Sequence, residues 1–265
     1  MAAAKPSLPP VGMSEHDGVR YLHLGTPWVQ GAMRIARPEH VELEYVQRML
    51  AVLLWLPTED LDDRDQRAVQ LGLGAGALSR FCHQALKWDT TVVEINPQVV
   101  AACRAWFRLP EDGPRLRVLT GDAAGWLRQP EVAGSTRLLH VDLYDEEAAA
   151  PVLDDEDFYA ACHRALCPGG LMAVNLFGRD ASFERSAARI ARIFGADQVW
   201  QLRPTREGNT VVVAGRGVRV PDRAALESRA FELERRFVRQ GLPARKWLRM
   251  VSPWRPSYVG SGAPL

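Results

Sequence analysis

Cysteine is scarce in this chain, and an excess of charge of either sign is missing. Four cysteines (Cys82, Cys103, Cys162, Cys167) stand among 265 residues without a CxxC pair, which excludes a disulfide framework. Lys and Arg number 33 against 32 Asp and Glu, for a formal charge of +1 and a pI near 7.8. A general nucleic-acid binder carries a stronger basic excess, so the balance argues against that partner. No apolar run approaches the ~20 residues of a membrane helix; the strongest one covers only 52–56. The start, MAAAKPSLPPVG, lacks the apolar core of a signal peptide. Six histidines fall into no HExxH-like spacing, and GxSxG, Walker A and Cys–His nucleophile patterns are absent. The expectation is a soluble, cytoplasmic protein with no bound metal and no membrane partner.

What is present is ordinary globular composition, 47% hydrophobic and 25% charged. Residues 1–13 are rich in Ala and Pro and read as disordered. Residues 14–65 read as a small element: two strands around a Gly-Thr-Pro turn, then a helix over 39–56 closed by Pro57. The acidic EDLDDRD at 59–65 reads as a solvated linker. From 66 to 216 strands alternate with helices. Seven strand segments (RAVQL, TTVVEIN, RLRVLTGD, TRLLHVDLYD, LMAVNLF, VWQLR and NTVVVAG) predict a doubly wound, mostly parallel α/β sheet with an antiparallel edge hairpin. Asn96-Pro97 marks a helix start, and Cys167-Pro-Gly-Gly a helix end. Residues 217–265 carry a basic amphipathic helix near 222–240 and a loose tail after Pro243; from 216 onward eleven basic residues face four acidic ones. That charge reads as a solvated face or a partner surface.

Candidate site residues lie where the strands end. Gly72-Leu-Gly74-Ala-Gly76 follows the first strand of the alternating region. Glycines there let the backbone turn sharply and approach a ligand, although many α/β folds use such a turn for structure alone. Glu94 ends the next strand, where an acid accepts from both ribose hydroxyls. Asp122, in Gly121-Asp122-Ala123, ends the third and can accept from an adenine amino group. The glycine spacing does not meet G-x-G-x-x-G, so an adenosyl nucleoside fits better than a dinucleotide. The fourth strand ends in Asp142-Leu-Tyr144-Asp145. Its two carboxylates suit cation binding and proton acceptance, or else a solvated, helix-capping loop.

With these pieces in order, the chain resembles the spermidine synthase (aminopropyltransferase) family, built on the Rossmann-like class I S-adenosylmethionine-dependent methyltransferase fold. The likeness covers about 17–215 through VQ at 29–30, EYVQRML at 44–50, LGLGAG, VVEINP, LTGDA, VDLYD and FYAACHRALCPGGLMAVNLF. It implies that Gln30, Gly72, Gly74, Gly76, Glu94, Asp122 and Ala123 hold the nucleoside. It further implies that Asp142, with Asp145, orients and deprotonates an attacking amine, and that Tyr45 and Tyr144 line the amine pocket. The co-substrate would be decarboxylated S-adenosylmethionine or S-adenosylmethionine, the partner a small amine, and the assembly a homodimer. The chain departs from the family in three motifs, and its N-terminal strand domain reads as shortened. The aspartate of the Gly-Gly-Gly-Asp-Gly turn is Ala75, the His and Glu of the Tyr-His-Glu-Met helix are Val46 and Gln47, and the DxxDP proline is Glu146. Aminopropyl transfer to an acceptor such as putrescine is the leading expectation. Methyl transfer, favoured by Ala75, and a catalytically degenerate binding protein are the alternatives.

Overall fold

The computed structural model describes residues 8–143, 153, 155–177 and 181–256. Strands β1 (Val11–His16), β2 (Val19–Leu24) and β3 (Val29–Arg34) form an antiparallel three-stranded sheet. A hairpin was expected here; the third strand comes from residues 11–13, assigned to a disordered start, together with 14–16. The expected helix over 39–56 is shorter and changes pitch. Helix α1 is Glu44–Met49, and Leu50–Trp55 continues it as a 3₁₀ turn. Every side chain of that Leu-Ala-Val-Leu-Leu-Trp turn is buried, as an all-apolar stretch without a polar face requires. In the acidic linker, Leu61 is buried, Asp60 pairs with Arg137 and Asp62 with Arg236.

The main sheet holds β4 (Arg67–Leu71), β5 (Asp89–Glu94), β6 (Leu116–Thr120), β7 (Thr136–Val141), β8 (Leu166–Phe177), β9 (Val199–Leu202), β10 (Asn209–Gly215) and β11 (Val251–Pro253). Their order is β11-β9-β10-β8-β7-β4-β5-β6. It therefore has eight strands, not seven. The eighth, β11, falls in the tail expected to be loose and takes the edge place assigned to β9. Helix α8 (Ala244–Trp247) precedes it, and the buried Trp247 and Trp254 hold this segment down.

Strands β4 to β8 run parallel and β9 to β11 antiparallel. Helices α2 (Ala77–Arg80), α3 (Pro97–Trp106), α4 (Ala123–Leu127), α5 (Glu156–Ala165) and α6 (Ala181–Phe194) join them. The helix after the glycine turn is a single α-turn that passes into a π-turn over Phe81–Leu86. Asn96 caps α3 with Pro97 at its first position, as read from sequence. Helix α5 ends at Ala165, and Cys167-Pro-Gly-Gly forms an irregularity in β8 instead of a helix cap. Helix α7 (Arg223–Arg236) is shorter than expected. Its arginines bind the chain itself: Arg229 donates to the Leu54 carbonyl and Arg236 to the Leu61 carbonyl.

One apolar core lies between the sheet and α1, the Leu50–Trp55 turn and α7; a second lies under α4, α5 and α6. Successive connections leave β4 toward β5 on one side, while β7 returns on its other side. That reversal opens a crevice at the carboxyl ends of β4 and β7, the place where open α/β sheets bind ligands. The three-stranded sheet and α1 stand over it.

Candidate active site

A cavity of about 690 Å³ fills this crevice. Its floor is the turn after β4. Gly72 has φ +82°, and a Cβ there would collide with the Asp142 carbonyl oxygen. Gly74, at φ +51°, lies against the Gln30 carbonyl of β3. Only glycine accepts both the conformation and the approach. Gly76 begins α2 and lies outside the cavity wall. The helix end behind it is too short to supply the electropositive site a longer helix would offer. Gly31 was not singled out from sequence. A Cβ there would collide with the Ala75 backbone, so this glycine lets β3 lie against the turn.

Glu94 ends β5 in a buried position. Its two carboxylate oxygens accept from the Leu73 and Asn96 N–H groups, each at 2.8 Å. Burial raises its pKa and the nearby Asp142 adds to this, while those backbone donors pull it down. Each oxygen keeps a lone pair for a diol. Asp122 lines the cavity at the end of β6, but its carboxylate also caps α4 by accepting from Ala124 N–H (3.2 Å) and Gly125 N–H (2.7 Å). The carboxylate is thus shared between the cap and the cavity, and the cap fixes its direction. Ala123 follows on the wall.

Asp142 follows β7, with its N–H donating to the Leu71 carbonyl at 2.9 Å. Its carboxylate is buried, which raises its pKa, and it accepts from Asn175 Nδ2 at 2.9 Å and from the Tyr45 hydroxyl, both of which lower it. Gln30 and Tyr45 reach the same cavity from β3 and α1. A small recess beside it joins Gln30, Tyr45, Gly74, Asp142 and Ala75. Ala75 is buried there and absent from the main wall. Tyr144, Asp145 and Glu146 lie outside the described residues.

Sequence reasoning missed Asn175, Asn209, Glu42, Glu44 and Glu207, all of them on the wall. Asn175 ends a strand that points at the crevice, a usable signal; Glu207 sits in a turn with none. Six of the described lining residues are acidic (Glu42, Glu44, Glu94, Asp122, Asp142, Glu207), and none is Lys, Arg or His. Arg34 pairs with Glu42 at 2.6 Å and Arg48 with Glu44 at 2.7 Å. The other four have no ion-pair partner among the described residues. Such a wall attracts cations.

No family model matches the chain. The polyamine aminopropyltransferase of Chromobacterium violaceum is 34% identical over 233 residues, spanning 87% of this chain and 86% of that protein. The chain belongs to the polyamine aminopropyltransferase family. It is an enzyme of aminopropyl transfer. The aminopropyltransferase of Neisseria meningitidis serogroup A is 33% identical over 213 residues, 80% of this chain and 78% of that protein. Two solved structures share the fold. A probable spermidine synthase from Corynebacterium glutamicum has a TM-score of 0.71 at 18% identity, covering 96% of this chain and 95% of its own. Human methyltransferase-like protein 13, in complex with SAH, has 0.65 at 21%, covering 82% and 98%. Both share the Rossmann-like sheet of this chain, and the sequence relatives place this enzyme among the aminopropyltransferases. No described helix is long and apolar enough to cross a membrane.

Proposed function

We propose that the enzyme transfers the aminopropyl group of decarboxylated S-adenosylmethionine to a primary amine such as putrescine. One observation carries the choice of donor: a cavity with four unpaired carboxylates and no cationic side chain among its described lining residues. The sulfonium and the donor's ammonium are stabilised there. Ordinary S-adenosylmethionine would bring a carboxylate into the same acidic wall with no partner, which costs binding. The turn aspartate is lost at Ala75, and it is the negative charge of the wall as a whole, not a replacement at that position, that disfavours the carboxylate-bearing donor of the methyl-transfer reading.

In this reading Glu94 holds the ribose diol and Asp122 with Ala123 the adenine edge. Gln30 holds the thioadenosyl part. The acceptor nitrogen attacks the propyl carbon bound to sulfur. A C–N bond forms, the C–S bond breaks, and its electron pair stays on sulfur as the neutral thioether methylthioadenosine. The nitrogen sheds a proton to Asp142. An alkylamine is protonated near neutral pH, so the attacking nitrogen must be neutral before it reacts. A carboxylate with a raised pKa, oriented by Asn175 and Tyr45, suits that proton transfer. Holding both reactants on one wall supplies the rest of the rate.

Incubation with decarboxylated S-adenosylmethionine and putrescine tests this. The expected products are methylthioadenosine and spermidine in equal amounts. A methylated amine and S-adenosylhomocysteine formed from S-adenosylmethionine would overturn it.

A further inference from the structure

A second hollow, of about 480 Å³, lies between α6 and the segment that follows β11, and it shares no lining residue with the acidic cavity. Its sign is opposite. Arg185, Arg189 and Arg192 line it together with three alanines and Trp254, and no Asp or Glu stands among these described lining residues. The helix produces this arrangement. Ala187, Ile190 and Phe194 are buried in the core under α6, so the arginines, spaced i, i+4 and i+7, fall on its opposite face. From Arg185 to Arg192 the row runs about 10 Å along the axis.

The charges of the row differ in their engagement. Arg185 is exposed and has no ion-pair partner among the described residues. Arg192 pairs with Glu156 at 2.9 Å, with both side chains exposed; such a pair is weak and gives way to a ligand of higher charge. Trp254 is buried, and its backbone N–H donates to the Val199 carbonyl at 2.9 Å. Its ring lines the hollow and carries an Nε1–H with no acceptor among the described residues. Guanidinium and indole N–H groups only donate, so a ligand that answers them is an acceptor and an anion.

We infer that this hollow is a second binding site, for the oligophosphate chain of a small ligand such as a nucleoside triphosphate or inorganic tripolyphosphate. A guanidinium fork takes phosphate oxygens two at a time. A chain of phosphates repeats its charge along the row of arginines, whereas a single carboxylate meets one of them. The volume is that of a small-molecule site, and the alanine floor and the Trp254 ring offer apolar surface to a base or sugar. The site is independent of aminopropyl transfer. It uses no residue of the acidic cavity, whose charge repels a polyanion.

Calorimetric titration of the full chain with tripolyphosphate and with ATP, at low salt and without metal ions, tests this. Both should bind the wild type. In Arg185→Ala, which removes an exposed side chain and should leave Tm level, Kd for each should rise about three- to ten-fold. Adding Arg192→Gln should raise it further. In the wild type itself, about 0.5 M salt should weaken binding by at least as much. Tighter binding of ATP than of tripolyphosphate would support the site and assign the ligand to a nucleotide; equal affinities would support it with the phosphate chain alone as the ligand. The site is overturned if neither compound binds, if binding ignores salt, or if folded arginine variants bind as the wild type does.

Discussion

The two halves of the cavity are built by different means. The half proposed to hold the nucleoside comes, apart from Gln30 on β3, from one continuous stretch, 72–123, in which each cavity-facing residue ends or follows a neighbouring parallel strand: Gly72 after β4, Glu94 on β5, Asp122 after β6. The half proposed to hold the amine gathers Tyr45, Asp142, Asn175, Glu207 and Asn209 from α1 and the ends of β7, β8 and β10. The first half is held mainly by backbone: Glu94 binds N–H groups, Asp122 caps a helix, and the glycines permit close approach. The second is held by side chains bonding side chains: Asn209 donates to Asn175, and Asn175 and Tyr45 each donate to Asp142. A site fixed by backbone binds rigidly, whereas one fixed by side chains is open to change of specificity.

Substitutions that strike one half and spare the other sharpen this division. The largest effect belongs to Asp142→Asn. Loss of the proton acceptor should lower kcat by about 10²–10⁴-fold, with donor affinity little altered. The same change should stabilise the fold. Asp142 has a raised pKa, so the folded state binds its proton more tightly than the unfolded state does. Its ionised form therefore costs stability, and that cost grows as pH rises through the raised pKa. Removing it should raise Tm at pH 8, by more than at pH 4. A fall in Tm together with lost donor binding would mean that Asp142 is structural.

Glu94→Gln strikes the other half. Donor affinity, read by calorimetry with methylthioadenosine, should weaken about 10–100-fold as charged hydrogen bonds are lost. The ratio of putrescine to butylamine KM should not move. A change in acceptor preference would break the division between the halves.

The legibility of the sequence follows the same line. Gly72, Glu94 and Asp122 could be read because parallel strands put each chain's carboxyl end at one edge, so a local motif gives a spatial position. Asp142 was legible for the same reason. Asn175, near the end of parallel strand β8, carries the same signal and was passed over, whereas Asn209 depends on β10 pairing antiparallel with β8, a register that no single segment encodes. Most of the sheet was visible as alternation. The eighth strand was not, because Val251–Pro253 is three residues long and is held by Trp247 and Trp254 nearby and not by its own pattern. The change of pitch after Met49 escaped because the apolar spacing of 41–52 is helical throughout, and only tertiary burial selects the 3₁₀ turn.

A smaller effect distinguishes the partners of Asp142. Tyr45→Phe removes a hydrogen bond that favours its charged form. The acid limb of kcat/KM, where activity falls as Asp142 takes up a proton, should move to higher pH. At neutral pH the loss should be only a few-fold. An acid limb that stays in place would show that another group titrates there.

The acidic wall, with no cationic side chain among its described residues, is the central claim, and donor discrimination tests it most directly. Calorimetric titration of the enzyme with decarboxylated S-adenosylmethionine and with S-adenosylmethionine should give Kd values at least about tenfold apart in favour of the former. Equal affinities, or tighter binding of the carboxylate-bearing nucleoside, would contradict it.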